Sequence, residues 1–121
     1  MKIRDLMSRD VQVALPGDTV QAAAHRMGAG DFGFIPVAEA DRLVGTLTDR
    51  DIAVRVTGAG KPPSTPVSEA MTTPVVTVLD TDDLKVALDA MSDGKIRRLP
   101  VVDKHGRLVG VVSLGDLSTK V

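Results

Sequence analysis

The chain has no cysteine, no tryptophan and no tyrosine, and its two aromatic residues are Phe32 and Phe34. Without cysteine there is no disulfide and no thiolate metal site, which fits a reducing, cytoplasmic setting. Without clustered aromatic rings, the stacking platforms that hold single-stranded nucleic acid are missing. Charge of one sign is also lacking. The formal net charge is −1, so bulk electrostatics give no case for a nucleic-acid or membrane partner. No apolar run approaches the ~20 residues of a membrane span, and the opening Met-Lys-Ile-Arg-Asp has no signal-peptide apolar region. The core must be built from Val, Leu, Ile, Ala and Met, which suits a soluble globular chain that is 43% hydrophobic and 26% charged.

What the chain does have is a repeat. At an offset of 64 residues, Met7 meets Met71, Val11 meets Val75, Leu15 meets Leu79, Asp18 meets Asp82, Ala23 meets Ala87 and Met27 meets Met91. Pro36-Val37 likewise meets Pro100-Val101. One extra residue in the second copy moves the offset to 65, after which Arg42-Leu43-Val44-Gly45 meets Arg107-Leu108-Val109-Gly110 and Asp51 meets Asp116. A unit of about 60 residues buries only about 60% of its unfolded surface, so the two copies are expected to depend on each other. The division expected is a first domain over 1–60 with an N-terminal lead-in, a linker over 61–66 and a second domain over 67–121.

Each copy reads as strand, helix, strand, strand, helix. Ile3 to Met7 and Val67 to Met71 are short helical lead-ins. Val11 to Val13 and Val75 to Val78 read as short strands. The turn and N-cap residues Pro16 to Thr19 and Asp80 to Asp83 come next. The apolar stripes Val20, Ala23, Ala24, Met27 and Leu84, Ala87, Leu88, Met91 have helical period. Both helices stop near glycine, at Gly28/Gly30 and Gly94. Phe34 to Val37 and Leu99 to Val102 are strands carrying a proline, which suits a strand start or an unpaired edge. Leu43 to Leu47 and Leu108 to Val112 are the return strands, and helices follow over Asp49 to about Val56 and Leu114 to about Lys120. Asp103 to Gly106 reads as a hairpin turn.

Two matched segments carry the chemistry: Gly45-Thr46-Leu47-Thr48-Asp49-Arg50-Asp51 and Gly110-Val111-Val112-Ser113-Leu114-Gly115-Asp116. Each falls where a strand gives way to a helix. One reading is structural, with Thr48 and Ser113 as N-caps and the acid three residues on completing a capping box. The other is functional. A hydroxyl there can bond a phosphate or sugar oxygen, a carboxylate can accept both hydrogen bonds of a ribose diol, and glycine on the strand lets a flat base approach the backbone. Two copies at matched positions weigh more than one. His25 and His105 lack partners at metal-ligand spacing, so no metal is expected. The chain shows no nucleophile–base pair and no phosphate-cradling glycine loop with a lysine, so an enzyme is not expected.

With the repeat, the Leu-Pro-Val strand and the Gly-x-x-Ser/Thr-x-x-Asp ending on the page, the chain resembles a tandem cystathionine-β-synthase (CBS) domain pair, or Bateman module, over about Ile3 to Leu117. The resemblance extends to stand-alone bacterial CBS-pair proteins through Leu47-Thr48-Asp49-Arg50-Asp51-Ile52 and the Gly/Pro-rich linker after it. It implies a mixed α/β (α+β) fold of two β-α-β-β-α units packed sheet to sheet about a pseudo-twofold axis, often as a homodimer. It also implies adenosine-containing ligands in the cleft between the two domains.

Residue by residue, the resemblance implies that Ser113 and Asp116 hold ribose and phosphate at one site. Asp10, Val11 and Gln12 would lie near the base, Gly33 close by, and Arg97 and Arg98 would face the phosphates. The mirror site would use Thr48 and Asp51, with Pro74, Val75 and Val76 near the base and Ile96 close by, and with Arg50 a partial substitute for the missing arginines. The alternative for Lys95, Arg97 and Arg98 is an exposed basic strand edge, and the phosphate role falls to Arg97 before Arg98 and Lys95. At the position of Arg97-Arg98 the first copy has Gly33-Phe34, so tighter binding is expected at Asp116. The function implied is a regulatory energy or metabolite sensor with no required cofactor. Its ligand would be AMP, ADP or ATP, with NAD or S-adenosylmethionine as further candidates, and it would act on an unknown partner protein. The alternative is a non-catalytic interaction or dimerisation protein with a vestigial nucleotide cleft.

Overall fold

The computed structural model describes residues 1–30 and 32–119. The chain folds into two compact units. One is the continuous segment Gln12–Val75, and the other joins Met1–Val11 to the chain from Val76 onward. The sequence repeat and the compact units are therefore different divisions of the chain. Each lead-in packs with the strands of the other copy.

In the Gln12–Val75 unit, the hydroxyl of Thr19 accepts the Ala22 N–H at 3.1 Å and starts α1 (Val20–Gly30). Val20, Ala23 and Met27 are buried along it. Ala24, expected in the same stripe, is exposed, because the buried face is only as wide as positions i, i+3 and i+7. β1 (Phe34–Glu39) and β2 (Arg42–Thr48) form an antiparallel hairpin. β2 leads directly into α2 (Asp49–Ile52), which continues as a wider π-type turn over Ala53–Thr57. The 61–66 segment belongs to this unit too: Val20 and Gln21 donate their N–H groups to the carbonyls of Thr65 and Pro63 at 2.9 and 3.2 Å. α3 (Val67–Ala70) follows. Ala14, Val20, Ile35, Val37, Leu47, Val67 and Ala70 form the centre of the core, each 1% exposed or less.

The other unit opens with a 3-10 turn at Ile3–Asp5. It contains β3 (Val78–Leu79), α4 (Leu84–Gly94), β4 (Arg98–Val102), β5 (Leu108–Ser113) and α5 (Leu114–Thr119). The sheet order is β3-β4-β5, with β3 parallel to β4 and β5 antiparallel to it. Ile3, Leu6 and Met7 from the lead-in complete a core made with Val78, Ala87, Met91, Leu99, Val101, Val112 and Leu117. Leu88, repeat-mate of Ala24, is exposed, narrowing the second helical stripe in the same way. α4 ends with Lys95, not glycine, in the left-handed conformation at φ 53°. The expected helix end at Lys120 lies outside the described residues.

The short strands expected over 11–13 and 75–78 are reduced to a single parallel bridge at Ala14 and to Val78–Leu79. Proline is the reason. Ala14 donates to the Pro36 carbonyl at 2.9 Å and accepts from Ala38 at 3.0 Å. In extended backbone a residue's N–H and C=O point the same way, so the next rung would need an N–H from Pro36 to the Gln12 carbonyl. Pro36 has none. Pro100 holds the matching place beside Val101, the partner of Val78. It sits inside the middle strand of its sheet rather than at a start or edge, and its missing donor ends the pairing there, so that β3 begins only opposite Val101.

Candidate functional site

The two motifs fold alike. Thr48 donates its N–H to Asp51 Oδ2 at 3.0 Å, and the Asp51 N–H returns to Thr48 Oγ1 at 3.1 Å. Ser113 and Asp116 repeat the exchange at 3.1 and 3.0 Å. Both pairs are reciprocal caps at the start of α2 and α5, and all four residues are half-buried. The capping role uses one carboxylate oxygen and one hydroxyl lone pair in each copy. What remains can accept further donors.

The lead-ins reach the motifs through equivalent bridges. Thr72 and Thr46 exchange N–H···O bonds of 2.7 and 3.2 Å, while Ser8 and Val111 exchange bonds of 2.8 and 3.0 Å. Glycine makes this approach possible. A Cβ on Gly45 would lie 2.5 Å from Met71 Sδ, and one on Gly110 would lie 2.7 Å from Met7 Sδ and 2.8 Å from the Ser8 carbonyl oxygen. The space over these glycines is filled by the chain's own methionines. That corrects the expectation that the strand glycines admit a flat base. The paired matches Met7/Met71 and Gly45/Gly110 in the repeat were the available signal.

Asp10, Val11, Arg97, Arg98, Ser113 and Asp116 fall in one unit, and Thr48, Arg50, Asp51, Pro74 and Val75 in the other. Gln12 and Gly33, expected with Asp116, belong to the Asp51 unit, and Val76 and Ile96, expected with Asp51, belong to the Asp116 unit. Ile96 is half-buried against its own unit's core, in a packing role. The stretch from Thr73 to Thr77 stands outside any ladder, as do Asp10 and Gln12. Among the described residues no backbone hydrogen bond engages their peptide groups; Arg26 bonds the Gln12 side chain at 3.1 Å and the neighbouring Val13 carbonyl at 2.9 Å.

The copies differ beside the motif. The β4–β5 register sets Arg98 directly across from Ser113, and the Leu114 N–H donates to the Arg97 carbonyl at 2.7 Å. Both arginines are exposed. In the other copy Phe34 stands across from Thr48. A Cβ on Gly33 would lie 2.8 Å from Asp49 Oδ2, so a carboxylate fills the space that a side chain at this position would take. Asp49 was missed in the sequence because its repeat-mate, Leu114, is apolar. Arg50 is exposed. Among the described residues no three His, Asp or Glu side chains gather into a metal-holding group, and no helix is long and apolar enough to cross a membrane.

Comparison with known proteins accounts for the repeat. The sequence model of the CBS domain matches residues 3–58 and 67–121. The chain is 45% identical to the CBS domain-containing protein YhcV of Bacillus subtilis, over 96% of this chain and 82% of that one. The structure of Hypoxic Response Protein I with two coordinated zinc ions superposes with a TM-score of 0.92 at 33% identity, covering 100% and 99% of the two chains. CBSX2 in complex with AMP gives 0.88 at 26% identity, covering 98% and 94%. The CBS domain pair of protein MJ0100 in complex with 5′-methylthioadenosine and S-adenosyl-L-methionine gives 0.86 at 26%, covering 98% and 93%. With both copies matched and the fold shared, the chain belongs to the CBS domain family, as a pair of such domains.

Proposed function

We propose that this chain is a non-catalytic regulatory module that binds an adenosine-containing small molecule through its Ser/Thr-x-x-Asp motifs. The observation that carries the reading is the doubled motif. In both copies a half-buried carboxylate is fixed by its cap partner beside backbone that no ladder uses. Such a carboxylate suits a ribose diol, and free peptide groups suit the edge of a base. AMP, 5′-methylthioadenosine and S-adenosyl-L-methionine in the structures of relatives agree with that chemistry. The Asp116 motif is the favoured one for a nucleotide. Arg98 stands across the strand pair from Ser113 and Arg97 is next to it, so a phosphate there meets planar guanidinium donors. At the Asp51 motif a phosphate would meet Asp49. Binding regulates by favouring one arrangement of a homodimer or of a partner complex over another.

Isothermal titration calorimetry with AMP, ATP, NAD and S-adenosylmethionine tests this on a chain without tryptophan or tyrosine to report fluorescence. The expected result is one adenosine ligand bound, with affinity reduced about tenfold or more by Asp116→Ala, the size of one hydrogen bond to a charged group, and reduced less by Asp51→Ala. The capping bonds favour one other reading, in which the motifs serve only as helix caps in an interaction protein. No binding at millimolar ligand, with unchanged self-association in both variants, would establish that reading instead.

A further inference from the structure

The two copies make a controlled comparison. Thr72 and Ser8 are repeat-mates in the same bridge to the strand that carries the motif. Their side chains behave differently. The Thr72 hydroxyl donates toward both oxygens of Asp51, at 3.2 Å to Oδ1 and 3.3 Å to Oδ2. Asp51 Oδ2 also takes the Thr48 N–H, so both of its oxygens are engaged from within. Asp116 takes the Ser113 N–H on Oδ2, and among the described residues no side chain donates to its Oδ1. Ser8 is exposed and makes no bond to it.

From this contrast we infer that Thr72 is an internal competitor for Asp51, so that the chain presents one open diol-binding carboxylate, Asp116, and one that its own hydroxyl closes. A ribose diol donates two O–H groups and needs both carboxylate oxygens. At Asp51 the Thr72 hydroxyl occupies the position from which a diol would bridge them. The threonine methyl matters as well: branching at Cβ restricts χ1, which holds the hydroxyl on the carboxylate, whereas serine rotates freely. This inference rests on the adenosine reading above and names the residue that makes the two motifs unequal, independently of the arginines.

Adenosine is the probe that isolates the effect. It carries the diol and no phosphate, so Arg97, Arg98 and Asp49 drop out of the comparison. Titrated into the full natural chain, adenosine is expected to bind once, at Asp116. Thr72→Val, nearly equal in shape, is expected to add a second binding event about tenfold or more tighter at Asp51 than in the natural chain, as removal of one donor from a charged acceptor implies. That event disappears in Thr72→Val/Asp51→Ala and survives in Thr72→Val/Asp116→Ala. Thr72→Ser keeps the fold and shifts affinity the same way by less, which covers the case in which valine disturbs folding. If Thr72→Val and Thr72→Ser bind adenosine once, as the natural chain does, or more weakly, Thr72 positions Asp51 rather than blocking it and the inference is overturned. Two equal sites in the natural chain overturn it also. No adenosine bound by any variant, with AMP still bound at Asp116, shows that the phosphate and not the diol sets the difference and overturns this inference alone; no binding of adenosine or AMP removes the adenosine reading as well.

Discussion

Gly45 and Gly110 hold the lead-ins against the motif strands, and their surroundings predict unequal costs for the same substitution. In Gly45→Ala the added methyl meets the flexible Met71 side chain first, at 2.5 Å, with the Thr72 carbonyl oxygen at 3.2 Å. In Gly110→Ala it meets a backbone oxygen, that of Ser8, at 2.8 Å, and that atom cannot move without breaking the bridge to Val111. Overpacking of this kind costs about 1–3 kcal/mol. Gly110→Ala is expected at the upper end and Gly45→Ala at the lower, as read by urea denaturation. Equal midpoints for the two variants would show that the Met7 and Met71 sulfurs, not the Ser8 backbone, set the fit. The same residues show how far the site was legible. The Ser/Thr-x-x-Asp pairs stood out because they repeat. Asp49 and Thr72 did not, because their repeat-mates are leucine and serine and a matched pattern hides what differs between its copies.

At the scale of elements, the one-residue offset between the copies has a definite structural cause. The first hairpin turns on two residues, Ala40 and Asp41, both with positive φ, 46° and 68°. The second uses a longer turn in which Gly106 takes φ 79°. There the Asp103 carboxylate accepts the His105 and Arg107 N–H groups at 2.8 and 3.0 Å. These bonds, that to Arg107 foremost, hold Asp103 below its ordinary pKa of 3.8. A two-residue turn with φ positive at both places favours Asn-Gly or Asp-Gly, and a residue other than glycine, asparagine or aspartate in that region costs about 1–2 kcal/mol, a cost that falls on Ala40. Ala40→Asn with Asp41→Gly is therefore expected to raise stability by about 1 kcal/mol, seen as a higher thermal midpoint. A lowered midpoint would mean that the native pair makes compensating contacts. Helices and main strands were legible because hydrophobic period and turn residues agree locally. The short strands after the lead-ins were not, because their length depends on prolines more than twenty residues away in sequence, Pro36 and Pro100.

At the scale of the whole chain, the sequence repeat conceals an exchange. Residues 1–11 carry Ile3, Leu6 and Met7, which are buried with Leu99, Val101 and Val112 rather than with the strands of their own copy. Truncating a buried isoleucine to alanine costs about 2–5 kcal/mol. For Ile3→Ala that loss is expected in the unit of β4 and β5, whose amides should exchange with solvent faster, while the amides of β1 and β2 keep most of their protection. Faster exchange confined to β1 and β2 would contradict the division into units. The exchange also works as a clasp. A single cut between Gly58 and Lys61 would leave two peptides, each holding a piece of the other's core: Ile3, Leu6 and Met7 on one side of the cut, Val67 and Ala70 on the other. Severing the covalent link would not release either half, because parting them requires both cores to open.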